Sequence, residues 1–454
     1  ADRELVDGAL YCGTAIEEAA KQEAIELTGL ENPKSREQML TWLQGHGVAI
    51  PDLRSATVED TLEHKDEFEP DVARVLELRQ LLSKASIKKY STVVTTMCED
   101  GRIRGLLQFY GANRTGRWAG RLVQVQNMPR TYLHGAMLDT ARDLTRRKLP
   151  EGLKLLYGSV PGTLSQLVRT ALVPRPGCKF VDADFSAIEA RVVAWLAGEE
   201  WVLQVFRTHG KIYEATASQM FGVPLDRIVK GNPEYALRQK GKVATLALGY
   251  QGGSSALIAM GALKNGLTEE ELPDIVSRWR QANRAIVRCW KAVEQAAIQA
   301  VETGRSCATH GLVFAREADI DSGLDFLTIR LPSGRKLYYA QPHFGVNQWG
   351  GKQLRYYGMN QMTKTWSVIE TYGGHMTENI VQAIARDCLA VNIERLENAG
   401  FPIVFHIHDE VVIEVPEDRA DLDEVTRIMG QPVEWAPGLP LAADGWVGDY
   451  FTKD

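Results

Sequence analysis

At 454 residues the chain is too long for one simple core and predicts two or three subdomains. Its 44% apolar and 24% charged residues are those of an ordinary soluble globular protein, no apolar run approaches membrane-spanning length, and the N-terminus lacks a basic-then-apolar signal pattern. A net charge of −6 does not advertise a nucleic-acid binder, and six scattered cysteines suit a reducing compartment such as the cytoplasm rather than a structural zinc.

The first hundred residues read as mostly helical. Leu5 to Leu27 is rich in Glu, Ala and Leu, and a Gly-Leu-Glu-Asn-Pro break follows at 29–33. Ser35 opens a second helix carrying Met39, Leu40 and Leu43. A third run bears Val72, Val75, Leu76, Leu78, Leu81 and Leu82 and continues to Tyr90. An extended arm and a small helical bundle are equally open here.

Between 101 and 148 the local charge turns basic, with Arg102, Arg104, Arg114, Arg117, Arg121, Arg130, Arg142, Arg146, Arg147 and Lys148 against Asp139 and Asp143. Such a face suits phosphate contact, although most charge runs are merely solvated. Strand-like residues Ile103 to Phe109 precede Gly111-Ala112-Asn113-Arg114-Thr115-Gly116-Arg117, a loop able to grip phosphates or a minor-groove edge, or a hairpin with surface arginines. Gln126 and Asn127 could contact base edges or cap a turn. Loop and then helix follow over 131–170.

Lys179 to Asp184 alternates as a strand ending in a carboxylate, and helical spacing begins at once with Ile188, Val192, Trp195 and Leu196. An acid there is held by rigid backbone, placed where a metal could sit. Ser186 to Glu189 fits a capping box, in which the glutamate closes back on the helix start.

The chain then reads as helical to about 300. Within 234–250, Arg238, Lys242, Leu246 and Tyr250 recur every four residues along one stripe: cation, cation, apolar, aromatic. That order suits a nucleotide with its phosphates on the cations, and equally an amphipathic surface helix. Short strands are expected at Val313–Ala315, Leu327–Leu331 and Lys336–Ala340, and a helix over 378–400. Two apolar runs, Ile403–Ile407 and Val411–Ile413, flank His408-Asp409-Glu410 like a hairpin with acids at its tip.

If Asp184 and Asp409 meet, they form a two-carboxylate cradle for Mg²⁺, which takes few protein ligands and keeps water and substrate phosphates. The Phe185 carbonyl stands beside them. Glu410 is an outer ligand or a local anion, and the role of Asp182 is open. Two metals roughly 4 Å apart suit phosphoryl transfer from a nucleoside triphosphate.

Acid strand, basic-aromatic helix and acid hairpin, in that order, resemble family A DNA polymerases, the DNA polymerase I-like class. The first palm motif is matched by D-F-S-A-I-E-A-R at 184–191, the fingers helix by Arg238, Lys242, Leu246, Gly249 and Tyr250, and the second palm motif by His408-Asp409-Glu410. Thr115-Gly116-Arg117, Gln126-Asn127-Met128-Pro129 and Leu30-Glu31-Asn32-Pro33-Lys34-Ser35 with Gln38 extend the similarity over essentially the whole chain. The Leu331–Arg335 turn and Thr377–Gln382 look more like bacteriophage members.

The resemblance implies an α+β right-hand polymerase fold with a helical thumb at 1–100, an antiparallel-sheet palm at 101–198 and 331–454 with inserted strands, and mostly helical fingers at 199–330. It implies template-directed transfer of deoxynucleotides to a primer 3′-hydroxyl with two Mg²⁺ ions (Mn²⁺ able to substitute), in phage-type replication in the host cytoplasm. The partners are primer-template DNA and dNTPs; no membrane is involved and a monomer is expected. Asp184, Asp409 and Phe185 would bind metal. Arg238, Lys242 and Tyr213 would hold the triphosphate, with Lys242 protonating pyrophosphate. Leu246, Tyr250 and Glu189 would face the sugar and base, and a fixed Glu189 carboxylate could cap and exclude a 2′-hydroxyl together. Arg117, Gln126, Asn127, Gln382 and His408 would contact DNA.

Three residues depart from the family. Leu246 stands where a ring is usual, Ala187 where Gln is usual, and Tyr213 where a histidine normally contacts phosphate. The chain opens without Met, in what resembles the segment following a proofreading domain, and reads as a polymerase lacking an upstream 3′–5′ exonuclease domain.

Overall fold

The computed structural model describes all residues except 84–85, 322, 348–349, 362 and 454. Five helices come first: α1 (Arg3–Thr28), α2 (Arg36–Gly45), α3 (Ser55–Glu63), α4 (Pro70–Ser83) and α5 (Ser86–Thr96). Ser35 caps α2 as expected, its side chain accepting from the Gln38 N–H. The run expected to continue to Tyr90 is two helices, and its middle falls on 84–85, outside the described residues.

A two-stranded ribbon, β1 (Leu107–Ala112) and β2 (Arg117–Gly120), leads to α6 (Gly135–Arg146), α7 (Pro150–Tyr157) and α8 (Val160–Leu167). Strand β3 (Cys178–Phe185) is followed by seven helices: α9 (Ile188–Ala197), α10 (Glu200–Thr208), α11 (Ile212–Phe221), α12 (Leu237–Leu248), α13 (Ser254–Ala259), α14 (Leu272–Ala282) and α15 (Arg284–Thr303). Six antiparallel strands come next, β4 (Cys307–Thr309), β5 (Leu312–Ala318), β6 (Asp325–Arg330), β7 (Lys336–Val346), β8 (Lys352–Met359) and β9 (Trp366–Thr371). Helix α16 (Gly373–Asn398), the hairpin β10 (Ile403–Ile407) and β11 (Glu410–Pro416), α17 (Leu422–Met429) and β12 (Ala443–Gly448) complete the chain.

The central sheet runs β10-β11-β3-β12, every pairing antiparallel. Both its faces are covered, which is why β11 carries the unbroken apolar run Val411–Ile413. Val181, Ala183, Val411 and Ile413 join a large core with α9, α12, α15, α16 and the inner face of the six-stranded sheet. Phe180, Phe405 and Val412 join a second core with α1, α5, α6 and α8. Strand alternation therefore sends Asp182 and Asp184 toward the second core, with Asp184 at the strand's open end.

Helix α1 belongs to two cores. Leu5, Val6, Ala9 and Cys12 pack with α6–α8 and Phe451, whereas Ala20 and Ala24 pack on Leu78 of α4. A 26-residue helix spans about 39 Å, enough to carry the separate α2–α4 cluster away from the sheet. The first hundred residues are thus a small bundle mounted on a long helix.

The boundary expected at 330/331 falls inside the six-stranded sheet. β6 and β7 pair from Phe326↔Ala340 to Arg330↔Lys336, so no division can run between them. Strands β8 and β9 escaped the sequence reading because Gln, Arg and Gly interrupt the apolar residues of β8, and Ser, Glu and Thr those of β9.

Candidate active site

The β10–β11 hairpin turns on two residues, His408 and Asp409, with Ile407 paired to Glu410. His408 holds a left-handed φ of 53°, as such tight turns require. The Phe185 N–H donates to the Asp409 carbonyl at 3.1 Å, and Asp184 pairs across to Glu410. The strand end and the hairpin tip are thereby stitched into one acidic corner.

Four carboxyls gather there: Asp182, Asp184, Asp409 and Glu410. Burial and the Glu410 carboxylate push Asp182 up to about 10, so it stands as a neutral acid inside the sheet at physiological pH. Burial also raises Asp184, with Lys453 pulling it down and Glu410 pushing it up. Asp409 is raised by burial and by the charge of Asp184. Lys453 Nζ bonds Glu410 Oε2 at 2.5 Å and Asp184 Oδ2 at 3.3 Å.

Asp184 Oδ1 is buried without a hydrogen-bond partner. An orphaned carboxylate oxygen beside a second raised acid fits a hard cation. Among the described residues no group of three or more His, Cys, Asp or Glu converges as a metal cage. Mg²⁺ is the ion least in need of one, because it keeps waters and substrate oxygens as ligands.

Beside the acids, Glu189 accepts from Arg117 Nη2 at 2.5 Å and from the Tyr250 hydroxyl at 3.0 Å. The capping-box expectation fails. Ala187, with φ 51° and ψ 43°, is the cap residue of α9, and no side chain caps the helix. That left-handed residue turns strand into helix and sends Glu189 outward to Arg117 and Tyr250.

Tyr250 lies just past α12 and is clamped from behind. Trp290 Nε1 donates to the Gly249 carbonyl at 2.9 Å, and a Cβ on Gly374 would lie 2.4 Å from the Tyr250 carbonyl oxygen. Gly374 N–H also donates to Gln251 Oε1 at 3.0 Å. A similar close approach sets α12 on α11, since a Cβ on Gly241 would meet the Tyr213 carbonyl oxygen at 2.1 Å.

Arg238 and Lys242 consequently flank the Tyr213 ring, at 5.4 and 5.9 Å from its centroid. Arg238 also pairs with Glu214 at 2.8 Å. A cleft of about 340 Å³ opens between α9, α11, α12 and α15, lined by Glu189, Tyr213, Leu246, Tyr250 and Asp409 among others. Leu246 is 45% exposed at this cleft.

A second cleft, of about 470 Å³, lies on the other side of Arg117. Gln126, Gln382 and His408 line it together with Arg114, His375, Glu378 and Asn379. Asn127 does not; its amide donates to Gln124 Oε1 at 3.0 Å. Arg117 is braced by buried Arg386, which donates to the Gly116 carbonyl at 3.1 Å and stacks 4.2 Å over Trp118.

Sequence reasoning missed Lys453, Glu214, Glu378 and Arg386. Nothing in the local pattern marks Lys453, because its partners are 43 and 269 residues away. Arg386 carried a usable signal: a cation on an otherwise apolar helix face rarely lies buried unless it is paired.

Residues 12–312 match the family described as DNA polymerase family A. The chain belongs to DNA polymerase family A. It is 52% identical, over its whole length, to the DNA polymerase of Bacillus phage SP02, of which it spans 68%. It is 26% identical over 292 residues to the thermostable DNA polymerase I of Thermus aquaticus, covering 63% of this chain and 28% of that enzyme. The fold resembles that of the POL domain of Pol1 from M. smegmatis, solved in complex with DNA primer-template and dNTP. The TM-score is 0.61 at 18% identity, covering 98% of this chain and 66% of the other. The fold is therefore the α+β polymerase fold expected from the motifs. Among the described residues no helix is long and apolar enough to cross a membrane.

Proposed function

We propose that the chain is a template-directed DNA polymerase that adds deoxynucleotides from dNTPs to a primer 3′-hydroxyl and releases pyrophosphate, in phage-type replication. The observation that carries this reading is the hydrogen bond from the Phe185 N–H, next to Asp184, to the Asp409 carbonyl, with Asp409 on the wall of a cleft also lined by Tyr213, Leu246 and Tyr250. Asp184, Asp409 and the Phe185 carbonyl would hold two Mg²⁺ ions, or Mn²⁺ in their place, which supply charge neutralisation at the phosphates and acidify the attacking hydroxyl. Glu410 supports from behind, tied to Lys453, and Asp182 fills the sheet as a neutral acid.

In this reading Arg238 and Lys242 bind the triphosphate, Tyr213 presents its hydroxyl near them, and Lys242 donates the proton that pyrophosphate takes on leaving. Arg238 must exchange Glu214 for phosphate, so nucleotide binding competes with an ion pair. The joined Glu189 and Tyr250 close the space beside C2′ of the sugar and exclude a hydroxyl there. Arg117, Gln126, Gln382 and His408 face the duplex near the primer end. Residues 1–100 act as a thumb, the helices after β3 as fingers, and the central sheet as the palm. The enzyme works as a monomer in the cytoplasm of a host cell.

Primer extension on a gel, with deoxy-, ribo- and dideoxynucleotides supplied separately in Mg²⁺, tests the assignment. Extension by deoxynucleotides and poor use of ribonucleotides is expected. Shortening of the DNA would indicate a phosphohydrolase, and equal ribonucleotide use an RNA-making relative.

A further inference from the structure

The six-stranded sheet contributes no residue to the 340 Å³ cleft. Its strands alternate in direction, so the β4–β5, β6–β7 and β8–β9 turns all lie at one end. That end is fastened to the flank of the active site. In the β6–β7 turn, Ser333 Oγ donates to Asp387 Oδ2 at 2.5 Å and Arg335 Nε to Asp387 Oδ1 at 2.8 Å. Arg335 Nη2 also donates to the Ala383 carbonyl of α16 at 3.0 Å. The Tyr110 hydroxyl of β1 reaches the Lys336 carbonyl at 3.4 Å.

The neighbouring β8–β9 turn is carried to the same place. It is closed by Asn360 N–H to the Thr365 carbonyl at 2.8 Å and Lys364 N–H to the Asn360 carbonyl at 2.9 Å. Gln361 lines the 470 Å³ cleft together with Arg114, Arg117, Gln382 and His408. Asn360, Gln361, Thr363, Lys364 and Thr365 include one cation and no carboxylate. The cleft's own carboxylate, Glu378, accepts from Gln382 at 3.2 Å. Gln361 and Lys364 are both exposed.

We infer that the β8–β9 turn is a DNA-contact element, a wall added to the palm that grips the sugar-phosphate backbone of the primer-template duplex. This rests on the polymerase reading above and adds a contact to it. Lys364 supplies a cation and Gln361 an amide donor, both suited to phosphate oxygens and indifferent to base sequence. The neighbouring β6–β7 turn is pinned to α16 by an Arg–carboxylate pair, which anchors this end of the sheet beside the cleft.

The test uses the full chain and a fluorescent primer-template oligonucleotide, with binding measured by anisotropy across a salt series. The Gln361→Ala/Lys364→Ala variant should bind about tenfold more weakly. Its slope of log K against log salt should be shallower by about one, as for one lost phosphate contact. Its KM for dNTP and its melting temperature should not change, and Lys364→Arg should bind like the parent. Parent-like affinity and slope in the double variant would overturn the inference alone. Failure of the parent chain to bind primer-template would overturn the polymerase reading with it.

Discussion

The Tyr250 hydroxyl donates to Glu189 Oε2 at 3.0 Å, joining the residue just past α12 to the first turn of α9. Two elements 61 residues apart in sequence share one carboxylate, whose other oxygen is held by Arg117. A wall of this kind is rigid because each member is fixed by the others.

Glu189→Ala should raise the ratio of ribo- to deoxynucleotide incorporation by about tenfold, equivalent to ~1.4 kcal/mol. Tyr250→Phe keeps the ring and loses only the bond, so its change should be smaller. Steady-state kcat/KM for paired ribo- and deoxynucleotides measures both, and an unchanged ratio in Glu189→Ala would remove the residue from sugar selection.

Arg386→Ala should destabilise the fold by about 3 kcal/mol in chemical denaturation. It strips the buried Asp387 of one partner, leaves the Gly116 carbonyl without its donor, and removes the stack on Trp118. Because Gly116 precedes Arg117, primer-template affinity should fall as well.

Lys453→Met should cost about 2 kcal/mol in the absence of divalent ions. It leaves Glu410, 1% exposed, facing other carboxyls without its hydrogen-bonded ammonium. Mg²⁺ should recover part of the loss, read as a larger rise in melting temperature on adding Mg²⁺ than the parent chain shows.

The acids also fix a pH dependence. Asp409 is raised from 3.8 to about 7, so the folded chain binds its proton more tightly than the unfolded chain does. Its contribution is fully present below about pH 4 and is lost as pH rises through about 7. The difference in melting temperature between the parent chain and Asp409→Asn, both without divalent ions, should therefore move against the parent over that range.

Much of the site was legible in the sequence because its chemistry sits where elements change. Asp184 ends a strand whose alternation is plain, and Asp409 tips a hairpin between two apolar runs, so backbone pattern alone placed both. The Glu189–Tyr250 pairing was half legible. Ser186 and Glu189 have the spacing of a capping box, but Ala187 adopts a left-handed conformation that spacing cannot reveal. Long-range pairings stayed hidden. Lys453 with Glu410, Arg238 with Glu214, and Ser333 and Arg335 with Asp387 depend on tertiary packing that no local period records. The six-stranded sheet was underread because β8 mixes leucine and tyrosine with glutamine, arginine and glycine, and β9 sets serine, glutamate and threonine among three apolar residues.

Single-turnover primer extension by Asp184→Ala, run beside a primer-template binding measurement, bears most directly on the two-acid site. The variant should bind DNA with near-parental affinity and extend the primer at least 10³-fold more slowly, the order expected when a major electrostatic contribution to the transition state is lost. Extension at the parental rate would contradict the assignment of Asp184 and Asp409 as the catalytic pair.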